Sequence, residues 1–428
     1  MRGTANADLV IENAAEVLTL EEAGATVPRR REDLRRVGSV REASVACAAG
    51  EILWAGPAGD LEGAVEVSPG ATRIDASGCT VTPGFVDSHT HLAFGGSRHD
   101  EFERRLLGQS YLEIAAAGGG IRSSVRHTRA ASEDELVRIA TRRLDLLLLH
   151  GTTTVECKSG YGLSTEHELK QLRALSRASA GHPVDTVATF LGAHEFPEEF
   201  AKDHEAYVRL LMEEMIPAVA ESGLAEYADV FCEEGVYTVD QARRVMQAAA
   251  AHGMKPRIHA DEFAPSGAAE LAVELGAKSA DHLSAVSDAG VRALAGSDTV
   301  GTVLPGTTFS LRIPGADARR LIDEGVALAI ATDLNPGSCA VDSMGVVIGL
   351  ACLHLGMTPS EAFSAATVNA AYALDRADRI GSMAPGKQAD LLVLDTPDYR
   401  CVPYRFGTNL VRDVVKSGSV VVRGGRRV

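Results

Sequence analysis

No hydrophobic run in this 428-residue chain approaches the ~20 apolar residues that a membrane span requires. The first twenty residues, MRGTANADLVIENAAEVLTL, lack the continuous apolar core of a secretory signal, so a cytoplasmic protein is expected. Cysteine is sparse and unpatterned. The seven, at 47, 79, 157, 232, 339, 352 and 401, form an odd set without a C-x-x-C pair, which argues against a disulfide framework or a thiolate zinc site. Positive charge is also short, with 42 Lys and Arg against 58 Asp and Glu and a formal net charge of −16. A broad nucleic-acid surface needs clustered cations, so none is expected, and any anionic ligand must be gripped locally. The basic runs Arg29 to Arg31 with Arg35 and Arg36, and Arg423 to Arg427, read as solvated loops.

What is present is an ordinary globular composition, 45% hydrophobic and 23% charged, with length enough for a large core. Residues 7 to 83 alternate apolar and polar positions between turn signals, as in DLVIENAAEVLTL and SVACAAGEILWAG, and read as short antiparallel strands. The tail repeats that texture in ADLLVLD, LVRDVVKSG and SVVVRGG. Neither piece holds much core alone, so the two chain ends are expected to pair into one small β-sandwich.

Between them, eight strand-like runs alternate with helical patterns: FVDSHTHL, GTTTVECKS, VDTVATFLGAHE, YADVFCEE, KPRIHADE, SADHL, TVGTVLPG and ALAIATDLN. That rhythm predicts an α/β fold, a (β/α)8 TIM barrel over 84–388, flanked by the β-sandwich segments 1–83 and 389–428. Active sites of such barrels lie at the carboxyl ends of the strands. His89 and His91 close the first run, His194 the third, His259 the fifth, His282 the sixth and Asp333 the eighth. Side chains at i and i+2 of a strand share a side, so His89 and His91 are expected to converge on one point.

The segments PGFVDSHTHLAFGGSRHDEF, RLLGQSYLEIAAAGGGI, GTTTVECKSGYGL, FLGAHEFP, RIHADEF, SADHL and ATDLNPGS resemble the amidohydrolase superfamily of metal-dependent hydrolases and, within it, the imidazolonepropionase family. The first motif alone indicates the superfamily, while EIAAAGGGI, ECKSGYGL and ATDLNPGS together point to the narrower family. Residue chemistry agrees, because imidazole nitrogen and carboxylate oxygen suit zinc and iron, and a catalytic site leaves one position for water.

The resemblance implies one Zn2+ or Fe2+/Fe3+ per chain held by His89, His91, His259 and Asp333, with a water whose pKa falls toward ~7. Relatives with two metals use a carboxylated lysine on the fourth strand, and YADVFCEEGVY has no lysine there. Lys158, after the second strand, is expected to pair with a neighbouring acid. The resemblance also implies that His282, Asp333 and Glu262 carry protons, and that Arg98, Tyr161, His194, Glu262, Asn335, Gly337 and Ser338 contact substrate or product. The implied substrate is 4-imidazolone-5-propanoate, hydrolysed to N-formimino-L-glutamate by a homodimer, with Arg98 clamping the propionate unless it pairs with Asp100 or Glu101. Gly118 to Gly120 reads as a loop over the substrate. A deaminase of an aminated heterocycle, or an inactive scaffold, are the alternatives; Arg98 and Tyr161 argue against the first and the retained ligands against the second.

Overall fold

A computed structural model of the protein describes residues 6–21, 27–109, 113–114 and 117–428. Part of the motif RLLGQSYLEIAAAGGGI, at 110–112 and 115–116, lies outside the described residues.

Eight parallel strands pair in sequence order: Phe85–Asp87, Thr152–Lys158, Asp185–Ala193, Tyr227–Cys232, Lys255–Ala260, Ser279–His282, Val300–Val303 and Leu328–Ile330. Each matches one of the eight expected runs. In the second strand every residue is buried, as a parallel sheet covered on both faces requires. The first and eighth strands meet just past their ends, through a parallel bridge between Thr90 and Leu334. Asp333 N–H donates to His89 O at 3.0 Å and His91 N–H to Leu334 O at 2.9 Å. The barrel is therefore closed by the backbone of residues whose side chains point into its mouth.

Helices pack outside. Glu133–Leu149 starts at Ser132, whose side chain accepts the Glu135 N–H, and carries three acids in its first turn, where they favour the positive end of the helix dipole. Its buried Leu136, Ala140, Leu144, Leu147 and Leu148 form one apolar stripe.

The two chain ends form a second, nine-stranded sheet that contains Ala7–Leu18, Thr80–Pro83, Leu391–Leu394 and Val411–Lys416. The small β domain expected from both ends is present, and its layers belong to one continuous sheet that curls until Glu51 bridges Gln388. Alternation sorts its residues. Leu391, Val393 and Val415 join Leu9, Ile11 and Val17 in the domain's own core, whereas Leu392, Leu394 and Val414 face the barrel core.

The first basic run departs from expectation. Arg29 is buried and donates to Leu20 O at 2.7 Å, Arg30 donates to Ala295 O at 3.0 Å and Gly325 O at 3.2 Å, and Arg35 pairs with Glu361. The guanidiniums of Arg30 and Arg35 and the Arg29 N–H, which donates to Asn369 Oδ1 at 2.8 Å, fasten the segment after the first sheet strand to the barrel, while the Arg29 guanidinium braces the segment from within.

Glu361 is the anchor of that fastening. It is fully buried and accepts from Arg35 Nε at 2.9 Å, from Arg319 at 3.0 and 3.1 Å, and from the Thr358 N–H at 2.8 Å. Burial alone would raise its pKa, but the bonds from Arg319, Thr358 and Arg35 outweigh burial and lower it from 4.5 to about 2. A depressed carboxylate stabilises the fold above its unfolded pKa, and that contribution is lost as pH falls from about 4.5 to about 2. Melting temperatures of wild type and Glu361→Gln should therefore differ most near neutral pH and converge toward pH 2; a gap that stays constant with pH would contradict this.

Candidate active site

Five side chains converge at the carboxyl mouth of the barrel: His89, His91, His259, His282 and Asp333, none more than 4% exposed. The first regular strand stops at Asp87, yet the expected convergence of His89 and His91 holds. Asp87 accepts from Thr332 N–H at 3.0 Å and Thr332 Oγ1 at 2.6 Å, which lays residues 88–91 beside the eighth strand's exit. The Nε2 atoms of His89 and His91 lie 3.5 and 3.7 Å from Asp333 Oδ1. Ring centroids are 4.6 Å apart for His89 and His259 and 5.1 Å for His259 and His282. Two groups that share His89, one with His91 and Asp333 and one with His259 and His282, each bring one ligand-type atom per residue within 4.8 Å of the others.

Burial, then the charge of Lys158, pushes the His89 imidazole well below its ordinary pKa; burial, then His194, does so for His91, and burial, then His259, for His282. These rings are neutral and offer lone pairs. Nε2 of His89 and both nitrogens of His282 are buried with no hydrogen-bond partner among the described residues. Several unsatisfied imidazole nitrogens beside a carboxylate are costly to bury on their own and suit a divalent metal ion. His282 is as close to His89 as His91 is, with 5.5 Å between ring centroids in both pairs. It also stands at φ 81°, a strained backbone for a non-glycine residue.

Below the histidines lies a layer of buried charge. His89 Nδ1 meets Asp281 Oδ2 at 2.7 Å, which aims its Nε2 into the mouth. His259 Nδ1 lies 3.0 Å from Asp229 Oδ2, a close contact without the alignment of a hydrogen bond. Lys158, fully buried, makes the expected ion pairs, at 2.8 Å to both Glu156 and Asp229. Burial lowers its pKa, but Asp229 and Glu156 overcome that and raise it. Arg257 reaches Ser88 O at 2.8 Å and Asp281 at 3.4 Å. Sequence reasoning passed over Asp229, Asp281, Glu156 and Arg257. A signal was there: Glu156 and Lys158, like Arg257 and His259, occupy alternate positions of buried strands where apolar residues are the norm.

The residues expected to contact substrate line the same mouth. His194 stacks on His91 with 5.3 Å between centroids, and Tyr161 stands 5.2 Å from His194. The Nδ1 of His194 donates to Gly160 O at 3.0 Å, and burial depresses its pKa to about 3. Arg98 gives Nε and Nη2 to Glu101 at 2.8 and 2.7 Å, so the ion pair raised as its alternative role is formed. Asn335 is engaged on all sides: its Oδ1 accepts from Gly337 and Ser338 N–H, and its Nδ2 donates to Asp333 O and Ser338 Oγ, each at 2.8 Å. It shapes the loop after the eighth strand. Glu262 lies 3.5 Å from His282 Nδ1, and its own N–H donates to Glu233 at 2.8 Å. Burial, then the charges of Asp333 and Glu233, holds the Glu262 carboxyl far above the carboxylate range. Asp333 accepts from Thr307 Oγ1 at 2.5 Å, and burial raises it to about 6 despite that bond.

Residues 80–421 match the amidohydrolase family. The chain belongs to that family. Its curated relatives include imidazolonepropionases: that of Geobacillus kaustophilus is 51% identical over 98% of this chain and 99% of its own, and that of Symbiobacterium thermophilum 49% identical over 98% of each. Among solved structures, an adenosine deaminase from Xanthomonas campestris with bound zinc shares the fold at TM-score 0.71 and 19% identity, covering 99% of this chain and 95% of that one.

The Lys158 network yields a stability test. Lys158→Met leaves Glu156 and Asp229 buried without their cation, which should cost about 3–5 kcal/mol in denaturant unfolding. A loss below about 1 kcal/mol would show that the ammonium is not what makes that layer tolerable.

Proposed function

We propose that this protein is a metal-dependent hydrolase that opens the cyclic amide of 4-imidazolone-5-propanoate to N-formimino-L-glutamate, the reaction to which its relatives' name points. The observation that carries the proposal is that His89 groups with His91 and Asp333 on one side and with His259 on the other, with unsatisfied buried ring nitrogen among them, at the barrel mouth of an amidohydrolase. In this reading those four hold one zinc or iron ion per chain. Such an ion supplies a Lewis acid that makes water nucleophilic at neutral pH and polarises a carbonyl.

The chain's own groups do the rest. His282, neutral and without a hydrogen-bond partner among the described residues, takes a proton from the attacking water together with Asp333. Water adds to the ring carbonyl carbon and the C–N bond breaks, leaving a carboxylate and a nitrogen that needs a proton. Glu262, whose carboxyl is held far above the carboxylate range by burial and by its acidic neighbours, donates that proton in this reading. His194 and Tyr161 flank the ring, and Arg98, Gly337 and Ser338 bound the end that takes the propionate, with Asn335 holding that loop in shape.

The test is to follow ring opening in the ultraviolet with freshly generated imidazolone propanoate and metal-replete protein, and to assay bound metal in the same sample. Turnover with about one equivalent of metal per chain is expected, and its loss on prolonged chelation. His282→Asn should lower kcat by roughly 10²-fold or more with metal content preserved. Absent ring opening, with ammonia released from an aminated heterocycle instead, would make the site a deaminase.

A further inference from the structure

Arg98 and Arg105 stand seven residues apart at the two ends of the helix His99–Leu106, a spacing that puts both on one face. Both reach Gly337 in the loop after the eighth strand. A Cβ on Gly337 would collide with Arg98 Nη1, and Arg105 Nη2 donates to Gly337 O at 3.3 Å. Their charges are balanced differently. Arg98 is neutralised by Glu101, whose second oxygen is fixed by the Gly120 N–H at 3.0 Å. Arg105 is half-buried, and no carboxylate among the described residues lies within ion-pair distance of it. Burial and the neighbouring Arg98 both disfavour its charge, with Glu101 offsetting only part.

Other cations near the mouth are engaged. Lys158 serves Glu156 and Asp229, Arg257 serves Asp281 and the carbonyls of Ser88 and Ala373, and Arg143 donates to the carbonyls of Leu92 and Phe94. The Arg98–Glu101 pair carries no net charge with which to hold an anion in an acidic protein. Arg105 supplies the missing charge, and among the described residues its one hydrogen bond is to Gly337 O, which leaves guanidinium N–H groups free to donate.

We infer that Arg105 is the second cation of the substrate's carboxylate site, sharing the propionate with Arg98 and setting the preference for an anionic ring. The inference rests on the proposed reading of the site. Arg105→Met and Arg105→Lys, with Arg98 intact, are compared on imidazolone propanoate and on an imidazolone bearing methyl in place of the propionate. Arg105→Met should raise KM for the propanoate roughly 10-fold with kcat within about twofold, because the pair is partly solvated and acts in binding. Lysine should restore most of the KM, and rising salt should weaken binding less in Arg105→Met than in wild type. On the methyl compound all three proteins should agree. Equal losses on both compounds would show that Arg105 merely supports the Gly337 loop and would overturn the inference. An active wild type with an unchanged Arg105→Met would sink this inference alone; a wild type inert toward the propanoate would sink the site reading and the inference together.

Discussion

The structure depends on a buried ammonium. Lys158 sits between Glu156 and Asp229 beneath the histidines, and Arg257 plays the same part for Asp281. Three acidic side chains inside a barrel would be intolerable without those cations, since buried charge must be paired. With them, the carboxylates of Asp229 and Asp281 stay ionised: burial raises both, but His259 and Lys158 pull the first down, and Arg257 and Lys158 the second. The layer holds three acids against two bases, so it favours a further cation above it. It also sets geometry, because the Nδ1 atoms of His89 and His259 face carboxylates and their other nitrogens turn toward the mouth.

The barrel's closure and its chemistry are one construction. Backbone bonds between His89 and Asp333 and between His91 and Leu334 seal the sheet, while Asp87 ties the first strand to Thr332. Metal-type side chains thus occupy the seam where both chain segments are held from two sides. Loops elsewhere adapt to this fixed centre. Glu233 grips the segment after the fifth strand through the N–H groups of Glu262, Phe263 and Ala264, and Asn335 folds the segment after the eighth.

Much of this was legible in the order of residues. All eight barrel strands could be read because parallel strands covered on both faces appear as short apolar runs, and the polar residues that interrupt them, His89, His259, His282 and Asp333, mark the carboxyl ends. The convergence of His89 and His91 was expected from a period of two, and it holds although the regular strand stops at Asp87, with Thr90 between them bridged to Leu334. Cross-strand partners were not legible: Asp229 stands beside Arg257, and Asp281 beside His259, through a register between successive barrel strands that no local pattern sets. The burial of Arg29 was hidden for the same reason, since its acceptor Leu20 O is local but the barrel that covers it is not. The small sheet's curl, sealed where Glu51 meets Gln388, likewise depends on segments separated by most of the chain.

In the proposed function the acidic layer positions the histidines and tunes them for a metal. Asp281→Asn keeps the shape beside His89 and removes the charge. Metal affinity measured by competition with a chromophoric chelator should fall about 10- to 100-fold in Asp281→Asn, with helical signal and melting behaviour showing a folded barrel. An affinity equal to that of wild type would contradict the account, because His89 would then need no carboxylate to direct it.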